Sequence, residues 1–315
     1  MKYIFTLMPI EYRNTVFSTE AARMWCKEHF DCEVVNKDNK IFKVKPNEFF
    51  SFRDYFLYMY DLFKDSFEKI KDGDMLFFLD MCTPGVEIFE YIRKMEHIKL
   101  EMRGFFAAGV TDTYDPVSVN DVRVYHTEQG WLDMFDKVYV GSNYFRNHLY
   151  GSFRIHSDDK VIVSGDPLNI DAIKVQERSG DQIIFPSRLS YDKGYDIIER
   201  LIADGYDIKV THKMNLSKQE YYDLLLKAKL VILPARAENF GVSAMEALAA
   251  NVPIFVPNGF SYVDYVPREY RYPNDIEYKY IKEFLDMRLK NDIRINTRCI
   301  AEQFDWRRVF KLWLE

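Results

Sequence analysis

Short apolar runs alternate with segments of helical periodicity along the whole chain. In the first half, five runs rich in aromatic and β-branched residues predict buried strands: Tyr3–Met8, Cys32–Val35, Met75–Leu79, Arg103–Ala107 and Lys137–Val140. The segments between them that place apolar residues at helical spacing are Thr19–Phe30, Phe50–Lys71 and Gly85–His97. This βα order builds parallel sheets, so we expect a doubly wound α/β domain.

A second βα series is predicted to begin near residue 160. Its strands are Lys160–Ser164, Gln182–Phe185, Ile208–Thr211, Leu230–Leu233 and Ile254–Val256. Its helices are Gly194–Ala203, Ser217–Lys227, Ser243–Ala250 and Tyr278–Arg288. Because polar and turn residues flank the first strand of this series, we place one domain at 1–158 and a second at 159–303. Two such domains are expected to face one cleft, where sheets of this kind bind ligands.

Charge and composition limit the function. The length of 315 residues suits two domains of about 150 residues each. Residues 1–160 carry 21 basic and 26 acidic side chains, and residues 161–315 carry 22 and 23, so any nucleic-acid contact must be local. Apolar runs are shorter than a bilayer span, and the first residues do not resemble a signal peptide. With four scattered cysteines and no CxxC pair, we expect reduced thiols and a cytoplasmic protein.

Two common nucleotide-binding fingerprints are missing. No GxGxxG follows the first predicted strand, where Pro9–Asn14 occupies the turn. A GxxxxGK[ST] loop is also absent. The sequence therefore disfavours an NAD enzyme and a nucleotide triphosphatase.

The first motif with chemical meaning surrounds residues 234–246. A predicted strand ends at Pro234, a loop exposes Glu238, and Gly241 permits close backbone approach before a helix near Ser243. The N–H groups at a helix start favour a phosphate, and carboxylates at 238 and 246 can bracket the hydroxyls of a sugar and a ribose. Glu246 is expected in the first turn of this helix. Alternatively, Glu246 only complements the helix dipole and Glu238 is a solvated loop acid. The spacing alone does not decide between these interpretations.

The second motif follows the predicted strand Gln182–Phe185. It delivers Arg188 and Lys193 to the loop before a helix. Two cations there suit a diphosphate, since Arg donates bidentate hydrogen bonds and Lys adds a point charge. The alternative is a solvated basic loop.

Together these motifs carry a resemblance. The pattern Arg-Leu-x3-Lys-Gly, followed by Glu-Asn-Phe-Gly-x4-Glu-Ala and Pro253, closely resembles the donor-binding half of the family-4 retaining glycosyltransferases with the GT-B fold. The match covers roughly 160–267. It implies two Rossmann-like domains, with a C-terminal helix at 304–315 that packs back on the first domain. It also implies a donor site in which Arg188 and Lys193 hold the diphosphate, Glu238 the sugar and Glu246 the ribose, completed by Asn239, Phe240, Gly241 and Val242.

One feature of the family is replaced. Ala107 stands where the family commonly has a catalytic-region His at the end of a first-domain strand. Asp112 and Asp115 are the nearest acids and could orient or deprotonate an acceptor hydroxyl. Alternatively, they form a helix cap and a turn. His126 and His148 are further candidates, although a lone His is more often structural.

The resemblance also implies a mechanism. In the front-face reaction of this family, an oxygen of the departing diphosphate helps to remove the acceptor proton, so a strong side-chain base is not obligatory. Stabilisation of the leaving group falls to Arg188, Lys193 and the helix N-terminus. We expect a UDP-sugar as the co-substrate and no other essential cofactor. Because no DxD-type acid cluster accompanies the motifs, we expect the diphosphate charge to be met by protein cations rather than by an essential metal ion.

The acceptor is predicted from a weaker resemblance. Segments 216–230 and 257–267 resemble a sub-branch of the family that includes enzymes glycosylating a modified transfer-RNA base. The small, aromatic-rich, Lys- and Asp-rich chain with this donor half also resembles phage enzymes that glycosylate hydroxymethylated pyrimidines in DNA. The preferred acceptor is such a DNA base, with phosphate contacts from Arg13, Lys43, Lys45 and Arg53. Aromatic residues near 49–60 either stack on a base or belong to the core. Alternatives are a lipid-linked or cell-surface glycan acceptor, a non-catalytic nucleotide-sugar-binding protein, a sugar epimerase and a phosphorylase.

Overall fold

The chain forms two compact units. The computed structural model describes residues 1–8, 14–35, 52–114, 122–177, 180–291 and 293–315. One unit comprises Met1–Pro167 with Trp306–Glu315, and the other comprises Leu168–Asp305. Each unit is built on a parallel sheet with helices along the chain between its strands.

The strands of the described residues form one sheet in each unit. The first sheet has six strands in the order β2-β1-β3-β4-β5-β6, and the second has five in the order β11-β10-β9-β7-β8. The strands are β1 Lys2–Phe5, β2 Cys32–Val35, β3 Met75–Phe78, β4 Glu101–Phe106, β5 Lys137–Val140, β6 Val161–Val163, β7 Gln182–Phe185, β8 Ile208–Val210, β9 Ala228–Ile232, β10 Ile254–Pro257 and β11 Arg271–Tyr272. All the strand pairs are parallel, as the βα alternation predicts.

The helices follow the strands in chain order. In the first unit they are α1 Asn14–Glu28, α2 Phe52–Ser66, α3 Glu87–Met95, α4 Val122–Met134 and α5 Asn143–Ser152. In the second unit they are α6 Tyr195–Ala203, α7 Lys218–Leu225, α8 Val242–Ala249, α9 Tyr262–Tyr265, α10 Tyr278–Lys290 and α11 Arg298–Ala301. The last helix, α12 Trp306–Leu314, belongs to the first unit. Among these helices, none is both long enough and apolar enough to cross a bilayer.

Both faces of the first sheet are buried. Phe5 and Phe78 are register partners on one face, and their rings stack with centroids 4.7 Å apart. Their neighbours Ile4 and Phe77 point to the other face and join a separate apolar cluster. Because successive strand residues alternate between faces, burial on both sides requires uninterrupted apolar runs, which is the pattern in the sequence.

Helix α12 completes the second of these clusters. The Trp313 indole stacks on Phe77 with centroids 4.8 Å apart and donates from Nε1 to Ser164 Oγ over 2.9 Å. The buried Arg103 donates from Nη1 to the Trp313 carbonyl, also over 2.9 Å. The chain end is therefore part of the core of the first unit.

The assignment of the predicted strand Lys160–Ser164 to the second series is wrong. Val161–Val163 pairs with Val138–Val140 as the edge strand of the first sheet, and the compact units divide after Pro167. Sheet membership depends on backbone pairing with a neighbouring strand, which local composition does not reveal. Helices α4 and α5 were not predicted from the sequence. The roles of 1–158 as an acceptor domain and 159–303 as a donor domain stay predictions.

The second sheet brings two loops together. Strand β9 lies between β7 and β10, so the loops that follow β7 and β9 leave neighbouring strands at the same edge. These loops contain the two motifs singled out in the sequence. The carboxyl edge of a parallel sheet is the usual ligand-binding edge in such folds.

Candidate active site

Gly194 packs against the other motif loop. It ends a 3₁₀ turn at Tyr191–Lys193 and begins α6, with a left-handed φ of 72°. A Cβ atom at this position would lie 2.0 Å from the carbonyl oxygen of Pro234 in the loop after β9. Only glycine meets both the conformational and the steric requirement.

Lys193 of one motif and Glu238 of the other form an ion pair. Lys193 Nζ donates to Glu238 Oε2 over 3.0 Å and to the Ala237 carbonyl over 3.2 Å. The Lys193 and Glu238 side chains are only 16 and 17% exposed. The sequence predicted both residues for one donor site, and their direct pairing is a finding of the structure. Their roles toward a donor stay predictions.

Asp192 is a site residue that the sequence analysis missed. Its Oδ2 accepts a hydrogen bond from Arg188 Nη2 over 3.1 Å and lies 3.7 Å from Lys193 Nζ. The side chain is buried, whereas that of Arg188 is 37% exposed. The available signal was an acid within the Arg-Leu-x3-Lys-Gly motif, between the two cations.

Arg236, in the loop after β9, binds to the segment that follows β7. Its guanidinium forks onto Asp196 with hydrogen bonds of 2.6 and 2.8 Å, and it lies 3.9 Å from the ring centroid of Tyr191. Its backbone N–H donates to the Asp192 carbonyl over 2.7 Å. The hydrogen bond from Arg236 lowers the pKa of Asp196 below its ordinary value of 3.8. The fork therefore stabilises the ionised carboxylate.

Replacing Asp196 with asparagine is expected to change how stability depends on pH. A carboxyl group whose pKa is lowered by folding contributes its stabilisation above pH 3.8, and the contribution is lost as the pH falls through the lowered pKa. The wild type should therefore have a higher melting temperature than Asp196→Asn at pH 7, and the difference between the two melting temperatures should shrink near pH 3. Melting temperatures of both proteins at the two pH values measure it. A difference that stays constant between them would contradict the assigned ion pair.

The start of α8 lies beside Glu238. Gly241 has a φ of 86°, and a Cβ there would come within 3.2 Å of both Glu238 Cγ and the Tyr265 hydroxyl. Ser261 donates its backbone N–H to the Glu238 carbonyl over 3.1 Å, and its hydroxyl pairs with that of Tyr265 at 2.9 Å. The N–H groups of the first three residues of α8, Val242 to Ala244, have no acceptors within the helix. An anion or a hydroxyl-rich group can be bound beside them.

Residues 239, 240 and 242 surround the same helix start. Phe240 is buried against Phe304, with ring centroids 5.0 Å apart. Asn239 and Val242 are half-buried. The buried Phe240 side chain therefore anchors the predicted donor segment.

Glu246 is buried in the second turn of α8. The expectation of a first-turn acid is wrong, because the helix begins at Val242 and has no acidic residue in its first turn. Glu246 Oε1 accepts hydrogen bonds from Lys218 Nζ at 2.5 Å and the Tyr222 hydroxyl at 3.1 Å. Burial and the charge of Glu246 raise the pKa of Tyr222. Lys218 and Tyr222, both on α7, are further residues that the sequence analysis did not assign to the site.

The first-unit candidates lie in the loop after β4. Asp112 is half-buried, and its Oδ1 accepts the Tyr114 N–H over 3.2 Å, as in a turn. The buried Glu128 supports this loop because both its carboxylate oxygens accept the Val110 N–H, at 2.9 and 2.8 Å. Asp115 lies outside the described residues. A catalytic role for either aspartate stays a prediction.

Both candidate histidines have structural contacts. His148 Nε2 lies 3.1 Å from the carbonyl oxygen and the hydroxyl of Thr111. His126 is exposed and its ring contacts Tyr125. Ala107 is exposed at the end of β4.

Most of the predicted nucleic-acid contacts lie outside the described residues, namely Arg13, Lys43 and Lys45. Arg53 is exposed on α2. The same helix exposes Phe56 and Tyr60, which are 39 and 55% accessible, whereas Tyr55 and Met59 are core residues. Within the described chain, no group of three His, Cys, Asp or Glu is arranged to hold a metal ion. The predictions on metal and nucleic acid stay untested.

Comparison with known proteins agrees with this architecture. Residues 199–271 match the family described as "Glycosyl transferases group 1", a segment that includes Glu238 and Glu246. No curated protein sequence shows significant similarity to the chain.

Several solved structures match almost the whole chain. Sucrose-phosphate synthase from Thermosynechococcus elongatus is 10% identical over 99% of this chain and 94% of its own, with a TM-score of 0.68. The lipopolysaccharide outer core galactosyltransferase WaaB is 12% identical over 99 and 97%, with a TM-score of 0.64. Anabaena HepE, in complex with UDP and glucose, is 13% identical over 99 and 98%, with a TM-score of 0.64. The predicted two-domain α/β architecture of the GT-B class is confirmed, and the family segment supports a glycosyltransferase.

Proposed function

We propose that this protein is a retaining glycosyltransferase that takes its sugar from a nucleotide-diphosphate donor, a UDP-sugar. The observation that carries this proposal is the 3.0 Å contact between Lys193 and Glu238. A cation for phosphate and a carboxylate for hydroxyls are adjacent, as a donor with its sugar attached directly to a diphosphate requires. The UDP and glucose bound to the fold neighbour HepE favour this donor class.

The proposed reaction is a substitution at the anomeric carbon of the sugar. The bond from this carbon to the β-phosphate oxygen breaks, and a bond to the acceptor oxygen forms on the same face. The acceptor proton passes to an oxygen of the departing diphosphate. Arg188, Lys193 and the first turn of α8 stabilise the negative charge that develops there.

The remaining donor contacts follow from the proposed position of the diphosphate. Glu238 binds hydroxyls of the transferred sugar. The backbone N–H groups near Gly241 contact sugar and phosphate. Glu246 binds the ribose, and Lys218 and Tyr222 orient its carboxylate through Oε1. A purely nucleotide-sugar-binding protein would need the same contacts, so catalysis has to be tested directly.

The acceptor that we propose first is a hydroxymethylated pyrimidine base in DNA. The exposed Arg53, Phe56 and Tyr60 on α2 offer a cation and two aromatic rings for a nucleic acid. A carbohydrate acceptor is the second candidate. It is favoured by the near-complete structural match to WaaB, which is described as a lipopolysaccharide outer core galactosyltransferase. The acidic excess in residues 1–160 also fits an uncharged acceptor better than a polyanion.

Mass spectrometry of the products tests donor and acceptor together. The protein is incubated with a panel of UDP-sugars and either hydroxymethylpyrimidine DNA, transfer RNA or lipopolysaccharide core oligosaccharide. We expect UDP release and one product that is heavier by a single sugar. NMR of this product should show that the transferred sugar keeps the anomeric configuration that it has in the donor. Unmodified cytosine DNA is the matched control for the DNA arm. Absence of UDP binding and of UDP release with every donor would contradict the proposed function.

A further inference from the structure

The buried carboxylate of Asp192 lies between the two cations assigned to the diphosphate. Its Oδ2 accepts a hydrogen bond from Arg188 over 3.1 Å and is 3.7 Å from Lys193 Nζ. Asp192 is only 9% exposed. A buried carboxylate is strongly destabilised without cationic partners, so the three side chains constrain one another.

The backbone of Asp192 is held as firmly as its side chain. Its carbonyl accepts the Arg236 N–H over 2.7 Å, from the loop after β9. The next two residues are Lys193 and Gly194, and Gly194 packs against the Pro234 carbonyl. Asp192 therefore has a defined position relative to both loops that form the candidate donor site.

A carboxylate between two cations has a physical role in a diphosphate site. Two cations placed close enough to share one diphosphate repel each other, and this repulsion is stronger where solvent is partly excluded. A carboxylate between them offsets the repulsion. It also restricts two long side chains that otherwise sample many rotamers. Charges held in place before the reaction stabilise a transition state better than charges that must reorganise.

We propose that Asp192 is a positioning residue of the transfer reaction, acting through Arg188 and Lys193 rather than by contact with the reactants. This inference rests on the proposed function. Asp192 places the two cations where negative charge grows on the departing diphosphate. Its own negative charge also repels the diphosphate, which weakens the binding of the donor and of UDP. Because the two cations that it places stabilise the charge that grows on the diphosphate, this placement favours the transition state over the bound donor.

The substitution Asp192→Asn tests this role because it removes the charge and keeps the size. We expect kcat for UDP release, with the UDP-sugar that the wild type accepts, to fall at least fivefold. The Kd of UDP, measured by calorimetry, should stay within threefold of wild type, since lost placement and lost repulsion act in opposite directions. Asp192→Glu keeps the charge on a longer chain, so its kcat should lie between those of Asp192→Asn and wild type.

The matched control is Asp204→Asn. Asp204 caps the other end of α6 and pairs with Lys282 over 2.9 Å, so the variant removes an equal charge and an ion pair away from both motif loops. Its kcat should match wild type. An unchanged kcat in Asp192→Asn, or a fall in kcat accompanied by an equal loss of UDP affinity and a lower Tm, would overturn the positioning role. Failure of wild type to bind UDP would instead overturn the proposed function, and this inference with it.

Discussion

Replacing Lys193 or Glu238 with alanine is expected to lower the rate of sugar transfer at least tenfold while the fold is retained. Lys193→Ala removes a charge that stabilises the leaving diphosphate. Glu238→Ala removes the carboxylate that binds the sugar hydroxyls. Because the two side chains are paired over 3.0 Å and largely buried, Lys193→Ala also leaves Glu238 without this cation, and Glu238→Ala leaves Lys193 with the longer 3.7 Å contact to Asp192. UDP release and product formation, measured beside the far-ultraviolet circular dichroism of each variant, give the result.

The ion pair between Lys209 and Asp207 supplies a control of the same chemistry. It lies on an exposed edge of the second unit, with the same type of contact at 2.9 Å. Lys209→Ala should leave transfer unchanged. The double variant Lys193→Ala/Glu238→Ala removes both side chains of the ion pair, so neither is left unpaired. Comparison of its transfer rate with those of the single variants separates the effect of an unpaired charge from the loss of each residue's contact with the donor. Wild-type activity in both single variants would mean that the assignment of the donor site is wrong.

Replacing Gly194 with alanine is expected to destabilise the second unit and to abolish most activity. The left-handed backbone at a φ of 72° opposes any side chain by about 1–2 kcal/mol. In addition, the new Cβ would lie 2.0 Å from the Pro234 carbonyl oxygen, so the loop after β9 must move. That movement displaces Glu238 from Lys193. Thermal unfolding and UDP binding by calorimetry measure the two effects.

Gly205 separates the backbone contribution from the steric one. It has a φ of 96° in the same unit, but a Cβ there would meet no atom within 4 Å. Gly205→Ala should therefore lower Tm by the conformational strain alone and leave UDP binding intact. Gly194→Ala should lower Tm further and weaken UDP binding. If the two variants were equally stable and equally able to bind UDP, the proposed packing of the two loops would be refuted.

The fold was largely predictable from local sequence pattern. Strands such as Lys137–Val140 and Gln182–Phe185 have the predicted bounds, because a strand buried on both faces requires a short continuous apolar run, here Val138–Val140 and Ile183–Phe185. Val161–Val163 shows the limit of this reasoning. Its residues predict a strand equally well in either sheet, and only pairing with Val138–Val140 places it in the first.

The candidate site was predictable in part. The residues with the clearest chemistry, Arg188, Lys193, Glu238 and Glu246, stand in motifs whose turn and helix signals can be recognised locally. Asp192, Arg236 and Lys218 were missed, since an acid or a base in a loop or at the start of a helix is usually a solvated residue. Their contacts join positions up to 45 residues apart, as Arg236 and Tyr191 do. Such contacts depend on the strand order β9-β7, which no local pattern encodes.

The sequence by itself determined the α/β class, the βα repeats and the two motifs, because each depends on neighbouring residues and on the periodicity of helices and strands. Only the tertiary structure decided that Val161–Val163 completes the first sheet, that Glu246 is buried against Lys218 and Tyr222, and that Asp192 joins two cations. The physical reason is the same in all three cases. Backbone pairing and the compensation of buried charge are interactions between distant segments, and their geometry exists only once the chain has folded.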